Sequence, residues 1–294
     1  MEVVLIVNPF ASAVSEDRVR AVQRELGRVA SVRTLFTERP SHGEKLAGEV
    51  AGVDALVVFS GDGGFNEVLN GVPQGIPLGF LPGGGTSVLP RALGLSRDPV
   101  AAARRVAEAL ELGRQRRISL GRVNGRRFAF SSGIGLDAEL VRRVDALGRR
   151  DDGRRPGDVA YLAAAARLVG SRRGRFEPAL EVRGFGRAAF ALVANADPYT
   201  YAGRLAVRVA PEARFELGLD VVAPVQVGPL ALPRLLRNVL TGRREAREVL
   251  YGHDLDRIEI VCDRPLPLQA DGEDLGDVQE AVFEAERDAI AVLI

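Results

Sequence analysis

The sequence is poor in several residue types, and each scarcity narrows what the protein can be. It has one cysteine, Cys262, so an internal disulfide framework is excluded. Cys262 lies in an apolar run and reads as a core residue. Tryptophan is missing, and Lys45 is the single lysine, so arginine carries nearly all the positive charge. Forty basic against 39 acidic residues leave a formal net charge of +1. Such a balance gives no global pull toward nucleic acid or acidic lipid, and nucleic acid is not expected as a partner. No apolar run approaches the ~20 residues needed to span a bilayer. Met1 leads directly into Val3–Val7 without the charged segment and cleavage site of a signal peptide, so a cytoplasmic location is expected. Neither an internal repeat nor a low-complexity tract is present. Oligomeric state is left open, a homodimer included.

Apolar residues make up 46% of the 294, enough for sizeable cores, and the length favours two domains. The pattern is organised around Leu56–Leu69. Leu56-Val57-Val58-Phe59 has the continuous apolar character of a strand buried on both faces. Gly61-Asp62-Gly63-Gly64 breaks it, and Phe65, Val68, Leu69 and Val72 then recur at helical spacing. A glycine turn between a strand and a helix N-terminus forms an anion site, because backbone N–H groups point at whatever sits above it. This predicts a phosphate cradle. Asp62 has three readings: a helix cap, a neighbour of a Mg²⁺ that bridges phosphate oxygens, or a proton acceptor for a hydroxyl nucleophile. The pattern is neither GxGxxG nor GxxxxGK[ST].

Three further strands of the first half end in polar turns. Val3–Val7 runs into Asn8-Pro9, Val32–Phe36 ends at Thr37, and Ile76–Leu81 breaks at Pro82-Gly83-Gly84-Gly85-Thr86. Ser15 and Asp98-Pro99 are helix starts, and Ser41-His42-Gly43-Glu44 has capping-box spacing. Alternating strands and helices predict a parallel α/β sheet over residues 1–115, with ligands at the carboxyl ends of its strands. From there to residue 288 short strand-like runs dominate, beginning with a hairpin at Asn124-Gly125, so a mainly antiparallel, β-rich second domain with a few helices is expected. Two further features fall in it. One is a charged, glycine-rich loop over 148–157. The other is a helix whose apolar face carries Leu232, Leu235, Leu236, Val239 and Leu240. Together with Arg243, Arg244 and Arg247, these are candidates for peripheral contact with a membrane, although amphipathic helices usually pack inward.

Five segments in order resemble the diacylglycerol-kinase catalytic-domain family of lipid kinases. They are Asn8-Pro9; Ser60–Asn70; Pro82–Thr86 with Arg91-Ala92-Leu93-Gly94-Leu95; Ser132-Gly133-Ile134-Gly135-Leu136-Asp137-Ala138; and Gln269-Ala270-Asp271-Gly272-Glu273. The resemblance implies a phosphofructokinase- and NAD-kinase-like first domain and a β-rich lipid-substrate domain. It also implies that 289–294 returns to the first domain, and that the γ-phosphate of ATP is transferred, with Mg²⁺, to the hydroxyl of diacylglycerol or a similar lipid. A lipid substrate in turn implies peripheral contact with the inner face of the membrane. By position, Asn8, Thr37, Gly61, Asp62, Gly63, Gly64, Asn66, Glu67, Gly85 and Thr86 are implied to line the ATP site, with Asp62 toward the metal. Asp271 is implied as general base, Glu273 beside it, and Asp62 is the second candidate for base. By itself Asp271-Gly272 is equally a hairpin turn. If it were only that, Asn should replace Asp271 silently, since Asn forms turns as well.

The sequence departs from the family pattern in places. Gly64 stands where Thr is common, removing a hydroxyl near the phosphates, and Ser87 where Asn is frequent. Glu216-Leu217-Gly218 replaces an Asp-Asp-Gly that belongs to a structural Mg²⁺ site in some bacterial members, which puts that second metal in doubt. Two alternatives stay open: an NAD-kinase-like enzyme acting on a soluble substrate, and a nucleotide-binding pseudokinase.

Overall fold

The computed structural model describes residues 1–148, 158–203, 205–230, 234, 237, 238, 241 and 248–294. It divides into two compact units, Met1–Ser119 with Asp288–Ile294, and Leu120–Arg287.

The first unit alternates strand and helix: β1 (Glu2–Val7), α1 (Glu16–Leu26), β2 (Ser31–Phe36), α2 (His42–Gly48), β3 (Ala55–Ser60), α3 (Asp62–Gly71), β4 (Leu78–Pro82), α4 (Val88–Ala92) and α5 (Pro99–Glu111). The strands run parallel in the order β4-β3-β1-β2. All six residues of β3 are buried, as its unbroken apolar run requires. Leu5, Val57, Phe59 and Leu81 of the sheet share a core with Val19, Val22 and Leu26 of α1 and Ala102 and Val106 of α5. Elsewhere in the unit, Phe65 and Phe80 meet edge-to-face with centroids 5.3 Å apart. Ser15 caps α1 by accepting from Arg18 N, and Asp98 caps α5 by accepting from Ala101 N with Pro99 behind it. The capping box expected at Ser41 does not form. Ser41 adopts φ 61° and makes no side-chain cap bond; a carboxylate from α3 takes its place, as described below.

The second unit opens with β5 (Gln115–Val123), which begins in the first unit, and β6 (Arg126–Phe128). They are joined at Asn124-Gly125, where φ is 47° and 89°. Positive φ at both turn residues is the twist-matched hairpin geometry the Asn-Gly pair predicts. There follow β7 (Ser131–Ile134), α6 (Leu136–Asp145), α7 (Asp158–Ser171), β8 (Leu180–Val182), β9 (Gly186–Ala188), β10 (Ala191–Ala194), β11 (Thr200–Ala202) and β12 (Leu205–Val207). The last four strands are β13 (Leu219–Pro224), β14 (Val249–Leu255), β15 (Arg257–Ala270) and β16 (Glu273–Leu293). Antiparallel pairing runs β14-β13-β10-β7-β15-β16, with β8 also on β15. Phe128, Ile134, Val193, Val221, Ile260 and Phe283 are buried in one core. Cys262 belongs to the same core, and burial pushes its thiol up to about 11, so it is a packing residue rather than a nucleophile. The 232–240 helix and the 148–157 loop lie almost wholly outside the described residues, as do Arg243, Arg244 and Arg247. Among the described residues, no helix is long and apolar enough to cross a membrane.

Candidate active site

Parallel strands bring their carboxyl ends to one edge, and the registers Val7↔Phe36, Val7↔Phe59 and Ser60↔Pro82 align those ends in the first unit. Asn8, Thr37, Gly61–Gly64 and Gly83–Thr86 therefore gather along that edge. Backbone bonds lock the turns together: Asn8 N to Phe59 O (3.0 Å), Gly83 N to Ser60 O (2.7 Å) and Ala13 N to Gly83 O (2.8 Å). Asn8 also closes its own turn, its Oδ1 accepting from Phe10 N at 3.0 Å.

The two glycine turns lie back to back. A Cβ on Gly84 would stand 2.9 Å from the Gly61 Cα, and one on Gly83 would stand 2.9 Å from the Ser60 carbonyl. These are backbone atoms with nowhere to go. Gly84→Val should therefore part the turns and abolish nucleotide binding, with a lower melting temperature. Calorimetric titration with ATP checks this, and unchanged affinity would contradict it.

The cap of α3 is Gly61, which has extended backbone and no side chain. Asp62 is thus the first helical residue, and the reading of Asp62 as a helix cap is excluded. The first intrahelical bond runs from Phe65 N to Gly61 O (3.1 Å), and the N–H groups ahead of it have no acceptor inside the helix. The Gly61–Gly64 turn is partly exposed, as an anion cradle must be. Asp62 is also partly exposed, and its Oδ1 accepts from Leu89 N in α4 at 3.3 Å. Gly85 is exposed, and the Thr86 carbonyl accepts from Arg91 at 3.3 Å.

Other expected ATP-lining residues make structural contacts. The Glu67 carboxylate accepts from Ser41 N and Gly43 N, both at 2.9 Å, and so supplies the missing cap of α2. Asn66 is fully buried and bonds Asn70. Thr37 is nearly buried, its N–H bonded to Val7 O. The glycine at 64 has a local reason. A Cβ there would fall on the Ser60 hydroxyl, which is buried and has no hydrogen-bond partner among the described residues. Ser60 fills the space a side chain at 64 would need.

In the second unit, Asp271 and Gly272 form the two-residue turn between β15 and β16, with φ 49° and 81°. This is the hairpin geometry of an Asp-Gly pair, but the Asp271 side chain is 4% exposed. Its Oδ2 accepts from Ala129 N (2.6 Å) and its Oδ1 from Phe130 N (3.0 Å) and Ser131 N (3.2 Å). From the other side, Asn195 Nδ2 donates to Ala129 O (2.7 Å) and Asn195 N to Phe130 O (2.9 Å). Asp271 is therefore an anchor for the 129–131 segment, which its sequence context does not reveal. Glu273, its neighbour across the turn, pairs with Arg126 at 2.8 Å.

Next to this turn stands a polar cluster built from two of the motif segments. Asp137 Oδ2 accepts from Tyr199 Oη (2.8 Å) and Gln269 Nε2 (2.6 Å). Burial pushes the Asp137 carboxyl above the usual carboxylate range and the Tyr199 phenol well above its ordinary value. A second buried carboxylate, Asp220, is held by Tyr251 (2.6 Å) and His253 (2.8 Å). The 216–218 segment is tied by Gly218 N to Asp254 Oδ1 (2.7 Å), and Arg287 bonds the same oxygen at 2.8 Å. Among the described residues, no three His, Cys, Asp or Glu side chains are grouped to hold a metal ion.

Comparison with known proteins gives the chain its family. The diacylglycerol kinase catalytic domain family matches residues 2–123, and the YegS C-terminal NAD kinase beta sandwich-like domain matches residues 131–294. A diacylglycerol kinase of Bacillus subtilis is 37% identical over 91 residues, 30% of this chain and 29% of that protein. Matched segments cover 39%, 49% and 29% of the lengths of three curated relatives, so the chain spans less than half of each. A Bacillus anthracis diacylglycerol kinase structure superposes with a TM-score of 0.73 at 19% identity, over 99% of this chain and 96% of that one. An NAD kinase from Archaeoglobus fulgidus in complex with ATP gives 0.57 at 14% identity, over 100% and 94%. These likenesses show the fold, a parallel α/β domain and a mainly antiparallel domain in the NAD-kinase manner. With both halves matched, the chain belongs to the diacylglycerol kinase catalytic-domain family of lipid kinases.

Proposed function

We propose that the protein transfers the γ-phosphate of ATP to the hydroxyl of a lipid, diacylglycerol or a lipid alcohol like it. The observation that carries this is the pair of interlocked glycine turns at the carboxyl edge of the parallel sheet, with Asp62 on the first of them. Backbone N–H groups at the start of α3 would receive phosphate oxygens, and Asn8 and Thr86 lie along the same edge. Mg²⁺ usually keeps several waters and takes only one or two protein carboxylates beside the phosphates. A single partly exposed carboxylate beside the cradle fits that donor set, and the ion would neutralise charge on the transferring group. A lipid hydroxyl must give up its proton as it attacks. Asp62, whose carboxylate stands at the turn, would accept it. Asp271, the other candidate, has both carboxylate oxygens engaged by backbone N–H groups.

A lipid substrate implies peripheral contact with a membrane. The test is ADP release on adding diacylglycerol-containing vesicles and Mg²⁺, with sedimentation of the same vesicles. Lipid-dependent ADP release and co-sedimentation are expected. ADP release indifferent to the lipid would overturn the reading.

A further inference from the structure

We infer that Asp137 is a positioning residue for the Asp271-Gly272 turn, acting through the side chain of Gln269. The meaning of that turn rests on the phosphotransfer reading; the contacts do not. Gln269 is 2% exposed, and its amide spans the gap between two elements. On one side Nε2 donates to Asp137 Oδ2 at 2.6 Å and lies 3.1 Å from Tyr199 Oη. On the other, Oε1 accepts from Gly272 N at 2.9 Å.

The chemistry fixes the direction of this relay. Gly272 offers an N–H, which only the amide oxygen can accept, so the amide nitrogen must face Asp137. A flipped amide would set NH₂ against N–H and carbonyl against carboxylate. Asp137 therefore selects the one orientation in which Gln269 can hold the turn.

Asp-Gly already suits the geometry of this turn, with Asp271 at φ 49° and Gly272 at 81°, and the Gln269 amide fixes where the turn sits. The sheet also makes room for the cluster. Gly133 pairs with Gln269 across β7 and β15, and a Cβ at Gly133 would lie 2.6 Å from Asp137 Oδ2 and 3.1 Å from Tyr199 Oη. Tyr199 Oη is also 3.0 Å from the Ser132 carbonyl, an alternative acceptor for its proton. It braces Asp137 without touching the turn. The raised Asp137 carboxyl is consistent with a group enclosed for this purpose rather than displayed to solvent.

Four variants test the relay: Gln269→Leu, Asp137→Ala, Asp137→Asn and Tyr199→Phe. Two readouts apply to each, hydrogen exchange at the Gly272 amide and steady-state turnover with Mg·ATP and diacylglycerol micelles, with melting temperature as a folding control. Gln269→Leu and Asp137→Ala should raise Gly272 exchange by about tenfold, the worth of one hydrogen bond. Both should also lower kcat by roughly 10–100-fold with KM for ATP unchanged, because the turn carries Asp271 and, through it, the 129–131 segment that leads into the Ser132–Ala138 motif. Asp137→Asn keeps an oxygen facing both donors and should stay near wild type, as should Tyr199→Phe. Unchanged Gly272 exchange in Gln269→Leu and Asp137→Ala would overturn the inference. So would an Asp137→Asn as impaired as Asp137→Ala, since charge rather than anchoring would then matter. A wild-type protein inert toward diacylglycerol would count against the phosphotransfer reading alone, and Gly272 exchange would still decide the relay.

Discussion

Asp62→Asn should give a folded protein whose turnover is lower by roughly 10²–10⁴-fold, the usual worth of general acid–base catalysis. Its affinity for Mg·ATP should weaken as well. The fold is spared because Asp62 is partly exposed on the first turn of α3, and an Asn oxygen can still accept from Leu89 N. What changes is charge. A carboxylate near phosphates is tolerated only with a cation between them, and an amide neither attracts that cation nor takes a proton from a hydroxyl. Magnesium titration of ATP binding alongside turnover separates the two losses. Wild-type turnover in this variant would move the proton-accepting role elsewhere and leave the glycine cradle without its charged partner.

Asp271→Asn should be costly in a different way. Asn offers one oxygen where the carboxylate offers two, so at least one of Ala129 N, Phe130 N and Ser131 N loses its acceptor or faces an NH₂. Leaving a buried donor unsatisfied costs about 1–3 kcal/mol, so the melting temperature should fall together with turnover. The hairpin geometry alone would make Asn a silent replacement, but the buried carboxylate makes it a destabilising one. If Asp271→Asn keeps the wild-type melting temperature and loses turnover, Asp271 is a base and not an anchor. If it keeps both, neither role stands.

The first unit is legible in its sequence because buried parallel strands are continuous apolar runs, and Leu56–Phe59 and Val3–Val7 have no competing reading. The glycine turns are legible for a related reason. A Cβ at Gly84 does not fit against the Gly61 backbone, and one at Gly83 does not fit against Ser60. The strand Glu273–Leu293 is not legible: its run of Asp and Glu has poor strand propensity. Its partners are non-local: the antiparallel ladder with β15, the core around Ala281 and Phe283, and cross-strand arginines, Arg122 and Arg127 on Glu286 and Arg257 on Glu284 at 2.7 Å. The structural contact of Glu67, which the family resemblance assigns to the ATP site, is not legible either: the left-handed Ser41 leaves α2 without a side-chain cap, and the carboxylate that fills the need comes from 26 residues away. The Asp137–Gln269 link joins residues 132 apart, so no local pattern could announce it.

The hydroxyl that receives the phosphate defines the enzyme. Incubating the purified protein with Mg²⁺ and γ-labelled ATP, against diacylglycerol, other lipid alcohols and NAD in parallel, identifies it directly. Label is expected in a lipid product, dependent on Mg²⁺ and lost in Asp62→Asn. Label in NAD with none in any lipid would contradict it.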